Sequence, residues 1–308
     1  MAAVHSRACM RLVLPALLAA GPAWGEKGGV MRASAVWPEA AWDAPERAGL
    51  ARMLAGSFAP GCGARAGRDA LELVVEVPRA EWREGLDRLA ACLQGPRLEG
   101  VVVDAARRAL LDERRARTPA ELAIRVVEDL FWAGHPYGVD PLGTDATLDA
   151  IDRDLVAARF AELGAPAISA TGVDRALLER RFPRPSTRTS PSRSTSTSPG
   201  TQVFVYQPID RAEVAIALRA PVKLQVDGAL RLATATVKGR AGEYFLVTLS
   251  ARPDQLAAVM ATVRTALGAS WDDAVIATVM PPAGTPEAVK RARGVVRKRK
   301  PAARRKRR

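Results

Sequence analysis

The alternation of apolar and polar positions is clearest at residues 69–77 (DALELVVEV), where every second side chain is apolar, the mark of a half-buried strand. Residues 30–37 (VMRASAVW) suit a strand as well. Between them the spacing of Leu50, Met53 and Leu54 predicts a helix over Glu46–Phe58, followed by the loop Pro60-Gly61-Cys62-Gly63. Helical periodicity then covers 80–94, 99–117 and 119–133. Thr118-Pro119 separates the last two, with Thr118 as the N-cap and Pro119 in the first helical position. After a loop from His135 to Gly143 come a helix over 152–163, a short strand over 166–172 (PAISATG) and a helix from Asp174 to Arg181.

Residues 183–201 (PRPSTRTSPSRSTSTSPGT) consist almost entirely of Pro, Ser, Thr, Arg and Gly and hold nothing able to bury apolar surface, which marks a linker. Beyond it, strands are expected at 202–207, 212–220 and 242–251. A short helix is expected near 227–237, another over 253–268 with Leu256, Val259 and Val263 on its apolar face, and helical structure again at 271–279. Strands and helices mix without regular βαβ alternation, so the fold class is α+β: antiparallel sheets with helices packed on one face. The domains expected are 28–182, and a shorter one over 202–280.

A chain of 308 residues is long enough for two domains with cores of their own. Its net charge of +13 is local: Lys290 to Arg308 contains 12 Lys or Arg and no acid, which leaves the rest close to neutral. A folded basic face for DNA is therefore not indicated. Residues 281–308 read as a solvated basic tail able to adhere to an anionic surface. At the other end, residues 1–25 have the form of a signal peptide. Arg7 and Arg11 precede the apolar run Leu12–Ala20, and Ala23-Trp24-Gly25 offers small residues for cleavage before Glu26. This predicts an exported protein, periplasmic or extracellular. Cys62 and Cys92 would remain after cleavage; they can pair in such a compartment, or lie apart as two small buried residues.

The loop His135-Pro136-Tyr137-Gly138, followed by Pro141-Leu142-Gly143-Thr144, resembles a segment of the insulinase, pitrilysin and mitochondrial-processing-peptidase family. The likeness continues through Leu148-Asp149-Ala150-Ile151, Asp154-Leu155 and Thr171-Gly172-Val173-Asp174, and upstream through Gly95-Pro96 and Arg107-Arg108. It implies a mitochondrial-processing-peptidase-like fold of two similar domains, the second shortened here. By its chemistry the loop reads as a structural joint: glycines for tight turns, prolines that hold the preceding residue extended, and Tyr137 covering a helix end with its hydroxyl in water. His135 then belongs to the joint and not to a catalytic set.

Active members of that family carry H-x-x-E-H on the first helix, two histidines for zinc and a Glu as general base. The matching segment is Gly49-Leu50-Ala51-Arg52-Met53-Leu54-Ala55-Gly56, in which the ligand and base positions fall on Arg52, Ala55 and Gly56. Only His5 and His135 exist in the chain, and His5 lies in the leader. Glu113 stands where the resemblance expects a third ligand; by itself it reads as a solvated helix carboxylate beside Arg114 and Arg117. The family's substrate-holding Arg and Tyr have Arg231, Arg240 and Tyr244 as nearest candidates, with Tyr244 read as a core residue. No GxSxG, P-loop or GxGxxG is present, so no catalytic, metal or cofactor site is expected. The resemblance implies a catalytically inactive homologue, acting as partner subunit of a zinc-bearing relative and binding an unfolded peptide. The alternatives are a free-standing binding or structural protein of the cell envelope and, last, a residual zinc metallopeptidase.

Overall fold

The structure is a computed structural model describing residues 29–182 and 200–282. The expected leader, residues 183–199 of the linker and the cationic stretch 290–308 lie outside the described residues. In chain order the elements are β1 (Val30–Pro38), α1 (Leu50–Gly56), β2 (Arg65–Ala66), β3 (Ala70–Pro78), α2 (Trp82–Cys92), α3 (Gly100–Arg115), α4 (Pro119–Phe131), α5 (Asp145–Ala150), α6 (Arg153–Glu162), β4 (Ala167–Ala170) and α7 (Arg175–Arg181). After the linker follow β5 (Gln202–Tyr206), β6 (Ala212–Leu218), β7 (Arg231–Gly239), β8 (Gly242–Ala251), α8 (Leu256–Leu267) and β9 (Val275–Met280).

The first sheet has the order β2-β3-β1-β4, all antiparallel. Alternation sorts its side chains. Met31, Ala33, Ala35 and Trp37 of β1, with Leu71, Leu73, Val75 and Val77 of β3, enter one core with α1, α2 and α3. On the opposite face Arg32 and Arg65 flank Glu72. The second sheet has the order β5-β9-β6-β8-β7 and is antiparallel except for the parallel pair β5–β9. The α+β class is thus observed. One refinement is that the second sheet carries helices on both faces, α8 on one and α4 on the other.

Two expected helices are strands. Where a helix is expected near 227–237, Arg231–Gly239 is instead β7, paired with β8 along its whole length. Residues 271–279 hold a 3-10 turn over Gly268–Trp271 and then β9. Strand β9 is apolar on both faces because α4 and α8 enclose it, and a doubly buried strand lacks the polar alternation that distinguishes it from a helix. The helix expected over 46–58 is shorter: a 3-10 turn at Pro45–Arg47 breaks at Gly49, whose φ of 95° suits glycine, and α1 begins at Leu50.

Helix α4 joins the two parts. It starts with the predicted cap, Thr118 and Glu121 forming a reciprocal capping box with Pro119 behind them. Its apolar stripe, Ala123, Val127 and Phe131, with Trp132 beyond, packs on Ala215, Ala217, Tyr244, Leu246, Ala277 and Val279 of the second sheet. A helix encoded before the linker therefore forms one wall of the core encoded after it.

Candidate functional site

Helix α1 is held by a carboxylate from the segment just before it. Asp43 accepts hydrogen bonds from the N–H groups of Gly49 and Ala51, each at 3.1 Å, and so satisfies donors that an N-terminus leaves open. Burial raises its pKa to about 6, against those N–H donors and the charge of Arg159. The far end of α1 packs on α3: a Cβ built on Gly56 would lie 3.0 Å from the Cβ of Ala106.

Arg52 and Gly56 are one helical turn apart, and Ala55 is buried in the first core. Across from Arg52 stands Glu113 of α3. Arg52 Nη1 donates to both carboxylate oxygens of Glu113 at 2.9 Å. Glu113 stays half-exposed, as expected of a solvated helix carboxylate, but its ion pair is with Arg52 and not with the arginines beside it in sequence. Arg114 pairs with Asp145 at 2.6 Å and Arg117 with Asp140. The two positions that the resemblance marks as zinc ligands on separate helices do meet in space, and they meet as an ion pair.

The residues present do not fit a zinc ion. A guanidinium has no lone pair to give and carries the charge of the metal it would face. Ala55 and Gly56 supply no donor, and Glu113 is already bonded to Arg52. Among the described residues no group of three or more His, Cys, Asp or Glu is arranged to hold a metal. His135 is far from supplying one: it is buried in the joint, and its Nδ1 accepts from the N–H of Tyr137.

The joint itself is a polar cluster enclosed by aromatic rings. The Tyr137 hydroxyl donates to Asp69 and accepts from Ala241 N–H at 3.2 Å, so it is not in water as its sequence suggested. Burial, and then the bond to Asp69, push this phenol up to about 12. Asp69 also accepts from Arg240 N–H at 3.2 Å, which ties β3 to the β7–β8 turn. Arg68 lies over the Tyr137 ring at 4.2 Å and bonds Glu128 at 2.7 Å. Burial opposes the charge of Arg68, but Glu128 outweighs it and holds the guanidinium above its ordinary value. Glu128 accepts in addition from Arg125 at 3.2 Å and from the Tyr244 hydroxyl at 2.6 Å. Burial, then the charge of Glu128, keep the Tyr244 phenol far above its usual range.

Tyr244 is a core residue, as read from the sequence. Arg231, Arg240 and Tyr244 do not converge. Tyr244 stands opposite Val237, while Arg231 lies six residues away along the same strand, about 20 Å at strand rise. Arg240 stays at the turn, 3.8 Å from Glu39. The residues that sequence reasoning missed are Asp43, Arg68, Asp69 and Glu128. Arg68 and Glu128 meet across 60 residues, Asp69 and Tyr137 across 68, and Glu128 and Tyr244 across 116, so no local pattern marks these three, whereas Asp43 reaches N–H groups only six and eight residues on.

Cys62 and Cys92 are joined in a disulfide, with Cα atoms 5.7 Å apart, tying the turn after α1 to the end of α2. Among the described residues no helix is long and apolar enough to cross a membrane.

No family model matches the sequence, and no curated protein matches it either. Solved structures do. The inactive domain of a peptidase M16 from Pseudomonas fluorescens superposes with a TM-score of 0.64 at 12 % identity, covering 82 % of this chain and 93 % of that one. A protease from Helicobacter pylori gives 0.62 at 13 % identity, covering 77 % and 74 %. The first half of the periplasmic protease PqqL from Escherichia coli gives 0.51 at 14 % identity, covering 77 % and 67 %. At such identities the likeness establishes a shared fold, the M16-peptidase-like one, and nothing about activity.

Proposed function

We propose that the chain is a catalytically inactive protein of peptidase fold that serves as the non-catalytic subunit beside a zinc-bearing relative, enclosing an unfolded peptide between them. The observation that carries this reading is the Arg52–Glu113 ion pair, in the place where the sequence resemblance sets the metal. One of the neighbours by fold is itself described as an inactive domain. Export to the periplasm or beyond is supported by the leader pattern of residues 1–25 and by the Cys62–Cys92 disulfide. The decisive experiment is metal content after dialysis against trace zinc, for the chain alone and mixed with a zinc-bearing relative of the same fold. The expected result is stoichiometric zinc only in a co-purifying complex. Stoichiometric zinc in the chain alone overturns the assignment of Arg52, Ala55 and Gly56 and reopens the peptidase reading. A free monomer that recruits no such relative removes the partner role.

A second reading rests on the 12 cations of Lys290 to Arg308. They would attach the protein to an anionic envelope surface by a salt-dependent attraction. Deleting 290–308 then abolishes retention on a polyanionic matrix at low salt; unchanged retention disposes of the idea.

A further inference from the structure

Four strands form the edges of the two sheets, and three of them are guarded in the ways proteins use to prevent edge pairing. Strand β2 is two residues long and β4 is four. Strand β7 carries Arg231 and Lys238. Strand β5, Gln202-Val203-Phe204-Val205-Tyr206, has no charge and no proline. Among the described residues it pairs with β9 along one side and with no strand along the other.

Its side chains are exposed for a geometric reason. One helix is about 10–12 Å wide, whereas five strands at about 4.8 Å spacing form a sheet roughly twice that width. Helix α8 covers the middle strands, and β5 lies beyond its reach. Phe204 and Tyr206, opposite Thr278 and Met280 on that face, remain 48 % and 42 % exposed. Beside them the Thr278 hydroxyl is buried without a hydrogen-bond partner.

We propose that β5 pairs antiparallel with β5 of a second copy of this chain, joining two five-stranded sheets into one. The strand is self-complementary: its ends are polar-tipped and its centre is apolar. A two-fold axis through Phe204 sets Phe204 against its own copy, Val203 against Val205, and Gln202 against Tyr206. Like meets like, and no charge opposes another, as a symmetric interface requires. The two Phe204 rings and the Gln202–Tyr206 pairs then cover the strip that α8 leaves open.

The test uses the full chain with Cys9→Ala, in which the only other cysteines are the paired Cys62 and Cys92. Phe204→Cys in this background places two thiols directly opposite each other, with Cβ atoms about 4.5–5.5 Å apart. A direct disulfide needs Cβ atoms about 3.5–4.5 Å apart, so a short bifunctional thiol cross-linker is used, and it is expected to give a covalent dimer. Leu230→Cys, at a comparably exposed position outside β5, stays monomeric. In sedimentation the unmodified chain shows a concentration-dependent dimer, and Phe204→Lys weakens it at least about tenfold by facing two ammonium groups. Should Phe204→Lys fail to fold, the cross-linking comparison decides alone. Equal cross-linking at Phe204→Cys and Leu230→Cys, or an unmodified chain that remains monomeric, overturns the proposal. Neither result touches the zinc experiment, which concerns a different element and a different partner.

Discussion

Replacing Glu128 with Ala is the most informative perturbation of the joint. The carboxylate accepts from Arg68 at 2.7 Å, from the Tyr244 hydroxyl at 2.6 Å and from Arg125 at 3.2 Å. Arg125 keeps Asp129 and the carbonyl of Tyr137 after the change. Arg68 and Tyr244 lose the ion pair and the hydrogen bond that Glu128 gives them. Removing one member of a buried pair costs about 3–5 kcal/mol, because the other charge stays buried and uncompensated. A phenol left without its acceptor adds about 1–3 kcal/mol, not fully additive with the first. The Arg68 side chain is 28 % exposed, so water recovers part of this and the lower end is expected, about 3 kcal/mol. Equilibrium urea unfolding followed by far-UV circular dichroism measures it, with Tyr244→Phe and the double variant closing a cycle. Tyr244→Phe alone is expected to cost about 1 kcal/mol and to cost less once Glu128 is gone. A loss under about 1 kcal/mol for Glu128→Ala would refute the view that this carboxylate anchors α4 to the second sheet.

Separately expressed polypeptides 29–182 and 200–282 are expected to co-purify, since α4 supplies one wall of the second core; independent elution of the two pieces contradicts that. Replacing Cys62 and Cys92 with Ala opens a loop of 30 residues, for which chain entropy gives about 3.6 kcal/mol, read as a lowered Tm that reductant no longer changes. Asp43 supplies a pH dependence. Its folded pKa of about 6 lies above the unfolded value, so the folded state binds the extra proton, and the stability that Asp43 contributes is fully present below about pH 4 and is lost as pH rises through 6. This is the contribution of Asp43 alone, about 3 kcal/mol from the shift, superposed on the opposite acid dependence of ion-paired carboxylates such as Asp140; Asp43→Asn should remove that component between about pH 4 and 6.5, and an unchanged slope excludes Asp43 as its source.

Sequence by itself determined the elements whose partners are solvent or near neighbours. Residues 70–78 face a core on one side and form a charged surface on the other, so their alternation is legible as β3. Thr118, Pro119 and Glu121 fix the start of α4 through contacts within three residues. That Arg52, Ala55 and Gly56 offer no metal-ligating atom is likewise a matter of residue identity. Tertiary structure decided the rest, because the forces involved act between remote segments. Arg231–Gly239 mixes Ala and Leu with the β-branched Thr234, Thr236 and Val237, so its composition does not choose between helix and strand, and the pairing of nine residues with β8 decides it. The open question of Cys62 and Cys92 is settled by the approach of two Cα atoms to 5.7 Å. Glu113 lies among arginines on its own helix and bonds instead to Arg52, 61 residues earlier, because the packing of Gly56 on Ala106 brings α1 and α3 together. A side chain's type sets what it can bond; only the fold sets what comes within reach, and at this position that is an arginine.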